Sequence, residues 1–244
     1  MNRYLLLLSY ILVYGTFGLF AQTKDDFKYF SQFAIINDKD GYTNIRDENK
    51  KIIGTLHNDE VFVRSEIEEA IGDYIPIVWG IGSNLERSGY IHKSRIKFLY
   101  QLPLLKRTIS NNLATFEGES VKVEISIGTL DLTNKRVVLH PEYGYPIKIS
   151  GCDVFGSDCV SLDDFYRNTE IKSIKYSTNG AFSQFNLKDI AGYLFPSLQN
   201  TFVSVSNNGT IYISMNNGDG AGSYCLLWIL KEGRITKKIT YIGF

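Results

Sequence analysis

The feature that most constrains this chain is its punctuation. Apolar and β-branched residues come in short runs, each closed by Gly, Asn or Asp before the next begins, which is the pattern of strands joined by tight turns. Strands are predicted over Phe33–Ile36, Tyr42–Arg46, Lys51–Leu56, Glu60–Val63, Tyr74–Trp79 and Ser88–Ile91. Between them lie Asp38-Lys39-Asp40-Gly41, Asp47-Glu48-Asn49, His57-Asn58-Asp59 and Gly80-Ile81-Gly82-Ser83-Asn84, all rich in turn formers. Strands this short and this closely spaced predict a small barrel, because closure removes the exposed edges a flat sheet would leave. The 16 Tyr and 15 Phe suit a pleated, half-buried surface, so the expected class is mostly β throughout.

Three pieces of this region bring a family with them. Asp40-Gly41-Tyr42-Thr43-Asn44-Ile45-Arg46, then Lys51-Ile52-Ile53-Gly54-Thr55-Leu56 with Asn58-Asp59-Glu60-Val61, and last Gly89-Tyr90-Ile91-His92-Lys93-Ser94-Arg95-Ile96 together resemble the bacterial SH3-like domain. The resemblance covers residues 33–99, a little over a quarter of the chain. Two departures stand out: Asp47-Glu48-Asn49-Lys50 replaces the family's Gly-Pro-rich loop, and Tyr74-Ile75-Pro76-Ile77-Val78-Trp79 replaces its Trp-x-x-Val strand. The resemblance implies a non-catalytic role in which a groove of aromatic and amide side chains holds a peptide or peptidoglycan-like ligand. Tyr42, Asn44, Trp79 and Tyr90 are the expected ligand-binding residues, the alternative for Tyr42 and Tyr90 being a place in the domain's structural core.

Beyond Leu99 the pattern changes, and residues 100–116 read as a linker whose apolar part docks on a domain. A second β-rich domain, all-β or α+β, is expected over residues 117–244. Its strands are predicted at Val121–Ile127, Lys135–Leu139, Pro146–Ser150, Phe202–Val205, Thr210–Met215, Tyr224–Leu230 and Arg234–Tyr241. Short helical pieces are expected at Ser161–Asp164 and Leu187–Phe195, the latter stopped by Pro196. Parts of this block, above all Asn217-Gly218-Asp219-Gly220-Ala221-Gly222-Ser223-Tyr224, resemble a module of uncharacterised exported bacterial proteins. That makes Asn217, Asp219 and Tyr224 the expected interaction loop if the C-terminal domain instead tethers or blocks an envelope protein.

The N-terminus predicts where the protein works. Arg3 precedes an uncharged apolar run over Tyr4–Phe20, and Ala21 supplies a small residue at a cut, so residues 1–21 read as a signal peptide, with an uncleaved anchor as the alternative. The expected location is periplasmic or secreted, with no membrane attachment after cleavage. The 26 basic and 26 acidic residues balance, which favours neither nucleic acid nor an anionic membrane as partner. Export also permits a disulfide between Cys152 and Cys159, the alternative being two buried thiols, whereas Cys225 lies in an apolar run and reads as core.

Catalytic patterns are weak. In the cell-wall cysteine peptidases that often accompany SH3-like domains the Cys comes before the His. Here His57, His92 and His140 all precede Cys152, which leaves only a pairing in space in the reverse order. His140-Pro141-Glu142 lacks the close ligand pairs of zinc sites, and Asn216-Asn217-Gly218-Asp219-Gly220 lacks the later Glu of a calcium loop. Asp153, Asp158, Asp163, Asp164 and Glu170 leave a glycoside hydrolase as the remaining enzymatic alternative. The expectation is therefore no enzyme, no metal and no cofactor.

Overall fold

The computed structural model describes residues 32–65, 67–81, 86–157, 165, 168–218 and 222–242. The chain is mostly β, in several antiparallel sheets. The signal-peptide reading of residues 1–21 and the helical turn expected at Ser161–Asp164 lie outside the described residues. Among the described residues no helix is long and apolar enough to cross a membrane.

The first sheet holds β1 (Phe33–Ile36), β2 (Tyr42–Arg46), β3 (Ile52–His57), β4 (Val61–Arg64), β5 (Tyr74–Trp79), β6 (Arg87–His92) and β7 (Ile96–Phe98), in the order β3-β2-β6-β5-β4-β1-β7. Strand alternation gives it two apolar faces. Ala34, Ile36, Ile45, Leu56, Phe62, Ile77, Trp79 and Ile91 form one core to which the edge strands β3 and β7 both contribute, so the sheet curls around it. Gly89 permits the tightest approach of this curl, because a Cβ there would stand 2.8 Å from Ile45 Cγ2 and 2.9 Å from the Arg46 carbonyl oxygen.

The stretch expected as a linker is built into the fold. After Leu99, whose side chain is fully buried, β8 (Lys106–Ser110) and β9 (Leu113–Glu117) form a hairpin turning on Asn111 and Asn112. Asn111 takes a positive φ of 51°, as such turns require. β9 pairs with β10 (Val121–Thr129), β10 with β14 (Thr169–Thr178), and β14 with β15 (Ala181–Gln184), giving the order β15-β14-β10-β9-β8. Alternation at Thr108, Ile109, Ala114 and Phe116 supplies the missing strands, and the Arg107 guanidinium fastens them by donating to the carbonyls of Leu198, Gln199 and Thr201.

A small sheet of β11 (Val137–Leu139), β12 (Pro146–Ile149) and β13 (Cys152–Asp153) covers one end. The helix expected at Leu187–Phe195 is a single turn, Leu187–Ile190. It stops because Gly192, at φ +86°, sits so close to β13 that a Cβ would fall 2.0 Å from the Asp153 carbonyl oxygen, and Tyr193 and Leu194 then bridge to Phe155 and Glu170.

The last sheet is a meander of β16 (Thr201–Val205), β17 (Ile211–Asn217), β18 (Tyr224–Lys231) and β19 (Arg234–Tyr241). It is the middle layer of the molecule. Along β18, Tyr224, Leu226, Trp228 and Leu230 pack with Phe116, Val123, Ile125 and Ile174 of the five-stranded sheet. Cys225, Leu227 and Ile229 point the other way, onto Phe33, Ile35, Val61 and Val63 of the curled sheet. The two expected domains thus share a core, and Cys225 lies in it.

Candidate functional site

Along β2 the buried residues are Thr43 and Ile45, so Tyr42, Asn44 and Arg46 project together from the opposite face. On β5 and β6 the register sets Tyr74 opposite His92 and Pro76 opposite Tyr90. Parity therefore brings Tyr42, Asn44 and Arg46 to one side of a groove and Tyr74 and His92 to the other, with Ser94 and Arg95 at its end and a volume of about 280 Å³. Tyr42 is 48% exposed and tilts against His57, with ring centroids 6.3 Å apart. The Asn44 side-chain oxygen accepts from Thr55 Oγ1 at 3.3 Å, and the residue lines the groove.

One end of the groove is anchored by Asp38. Arg95 Nη1 donates to both its carboxylate oxygens at 2.6 Å, and the Asp40 backbone N–H donates to Oδ1 at 3.0 Å. Asn58 closes the knot, accepting from the Asp38 N–H and donating to its carbonyl. The Asp40 backbone N–H first, and then the Arg95 guanidinium, hold the Asp38 carboxyl below the usual carboxylate range. Arg95 also reaches Asp40 at 3.3 Å.

The wall across the groove is ordered by His92. Its Nδ1 lies 2.8 Å from Ser94 Oγ and accepts from the Ser94 backbone N–H, while its ring meets Tyr74 edge-on at 5.1 Å. Lys93 Nζ lies 2.7 Å from Asp73 and lowers that carboxyl, by hydrogen bonding first and charge second. The groove thus presents two tyrosine faces, an amide, two guanidinium groups and the partly exposed Asp40 carboxylate. That set can sandwich an extended chain and hydrogen-bond its amides and termini.

Of the four residues expected to bind, Tyr42 and Asn44 meet in the groove. Tyr90 lies beside it, half-buried, in a smaller recess with Arg46, Glu48 and Tyr74; burial first and the charge of Glu68 second raise its phenol pKa. Trp79 is elsewhere. It shares parity with Ile77, points into the curled sheet's core and packs over Gly54, so it is a core residue and not a ligand contact. Tyr74, His92 and Arg46 were missed, although Arg46 keeps even spacing from Tyr42 along β2 and His92 from Tyr90 along β6; Tyr74 enters through the register that sets it opposite His92.

The expected C-terminal interaction loop does not present its residues. Tyr224 is buried and donates to the Leu194 carbonyl at 2.7 Å, and Asn217 is buried with its side-chain oxygen accepting from the Ser197 N–H at 2.8 Å. Asp219 lies outside the described residues, as does Cys159; its expected partner Cys152 is a half-buried free thiol at the start of β13. Among the described residues no group of three His, Cys, Asp or Glu side chains could hold a metal ion. No family model matches the chain, and neither a curated protein nor a solved structure matches it.

Proposed function

We propose that this chain is an exported, non-catalytic binding protein of the cell envelope, periplasmic or secreted, whose groove holds a peptide-containing ligand such as a cell-wall stem or cross-bridge. The observation that carries this reading is the convergence of Tyr42, Asn44, Tyr74 and His92 on one open groove whose far end is fixed by the Asp38–Arg95 pair. The SH3-like motifs support it, because the residues that carry the resemblance on β2 and β6 are those that line the groove. The apolar N-terminal run supports export.

The test is co-sedimentation with purified peptidoglycan beside calorimetry with soluble stem peptides. Tyr42→Ala and Asn44→Ala together should weaken binding at least about tenfold, the loss of one good contact, with unfolding unchanged. Equal binding by the double variant would overturn the groove as the site. Release of soluble products from peptidoglycan would replace the reading with a hydrolase.

A further inference from the structure

Among the described residues, sheet edges are guarded by a charged side chain in or just before the strand, or by covering chain, with one exception. Lys50 and Lys51 lead into β3, Lys97 stands in β7, Lys106 and Arg107 in β8, and Arg234, Lys237 and Lys238 in β19. β11 follows Arg136 and β13 ends on Asp153, while β16 is covered by chain: the Leu105 N–H donates to the Val203 carbonyl at 2.9 Å and the Val205 N–H to that of Pro103 at 3.0 Å. Such charges and covers keep open edges from adding foreign strands. β15 has neither. From Tyr176 to Leu187 no charged residue occurs, every residue of β15 is exposed, and Phe182 is 82% exposed at its centre.

The strand is also presented for pairing. Asn179 and Gly180, both at positive φ, fold it back on β14 in a two-residue turn, so its register is fixed. The Phe185 N–H donates to the Ile174 carbonyl at 2.9 Å, and antiparallel alternation then turns the backbone N–H and C=O groups of Phe182 and Gln184 away from β14, toward the open edge.

We propose that β15 pairs antiparallel with β15 of a second copy of this chain about a twofold axis, joining two five-stranded sheets into one of ten strands. The occupant follows from the guarding pattern: among the described residues every other open edge carries a charged side chain in its strand or immediately before it, and the edge that offers an uncharged match to β15 is β15 itself. Twofold pairing is self-complementary by construction, and centring it on Phe182 sets the two rings across from each other on one face. A four-residue edge makes an interface below about 1,200 Å², in the weak class, so pairing is concentration-dependent.

Sedimentation equilibrium of the full chain over increasing concentration tests this directly. The weight-average mass should climb from one chain toward two. Phe182→Lys and, separately, Gln184→Lys restore a guard on exposed positions and should stay at one chain where the wild type has doubled, with the same thermal unfolding midpoint. A wild-type chain that stays single at every concentration, variants that associate as it does, or growth past two chains would each overturn the proposal.

Discussion

In β18 every residue from Tyr224 to Leu230 is buried, whereas in β2 Thr43 and Ile45 alone are buried and Tyr42, Asn44 and Arg46 face outward. The two strands sit in sheets that touch through one core, yet polar groups have opposite consequences in them. On β2 the polar side chains stand at the open groove, where solvent or a ligand can satisfy them. In the middle sheet a polar group left without a partner costs free energy, as Ser204, Tyr212 and Ser214 do, their hydroxyls being buried with no hydrogen-bond partner. Stability should therefore reside in the middle sheet and recognition on the curled one.

The largest way to break that comparison is Trp228→Ala. Trp228 is fully buried, its indole N–H donates to the Asp189 carbonyl at 3.0 Å, and Phe185 and Tyr193 meet it edge-on. Truncation should cost about 3–5 kcal/mol. Because the middle sheet also supplies part of the curled sheet's packing, urea unfolding followed by circular dichroism and by Trp79 fluorescence should remain one coincident transition at lower urea. A Trp79 signal that stays native after the rest unfolds would show the curled sheet standing alone.

A smaller effect separates the two regions by pH. The folded pKa of Asp38 is depressed, so its contribution is present above about pH 4 and is lost as pH falls through the folded value. Burial raises the phenols of Tyr212 and Tyr224, so their contribution is full below about pH 10 and is lost above it, where the unfolded chain ionises first. Urea midpoints measured across pH should show Asp38→Asn with a shallower acid limb, though not a flat one, since Asp73 and Asp131 are also lowered. Its alkaline limb should match the wild type. An unchanged acid limb would remove Asp38 as the anchor.

Much of this was legible in the residues, and unevenly so. The bounds Phe33–Ile36, Tyr42–Arg46, Tyr74–Trp79 and Arg234–Tyr241 could be read directly, because turn formers close each run. The β8–β9 hairpin was missed because Pro103 and the leucines around it suggested a docked linker and drew attention from Asn111 and Asn112. Half of the groove was legible for the same reason that Trp79 was misplaced: residue type suggested an aromatic contact, but parity along β5 decides which side a ring takes, and that side is fixed by the sheet's curl. The uninterrupted apolar run of β18 did signal burial on both faces. What it lacked was any sign of the partners, since the layers on either side come from other stretches of the chain, Phe116 to Ile174 on one side and Phe33 to Val63 on the other.

The smallest prediction sharpens the comparison most, because it asks whether the seam between the two layers is dry. Tyr212 faces the curled sheet, and its hydroxyl is buried without a partner. Ser206 and Thr210 offset part of the rise that burial gives its phenol; both hydroxyls donate to Asn208 Oδ1, at 2.5 and 2.8 Å, so toward Tyr212 they can only accept. Asn208 in turn donates to Asp59 at 2.6 Å, tying the turn before β17 to the curled sheet. Tyr212→Phe keeps the ring's packing and removes a hydroxyl that is desolvated for no return, so stability should stay level or rise by up to about 1 kcal/mol. The urea midpoint reads it, and the alkaline limb should become shallower at the same time. A loss of more than about 1 kcal/mol would mean that the hydroxyl is bonded through a buried water, which would make the seam a polar joint and not a dry core.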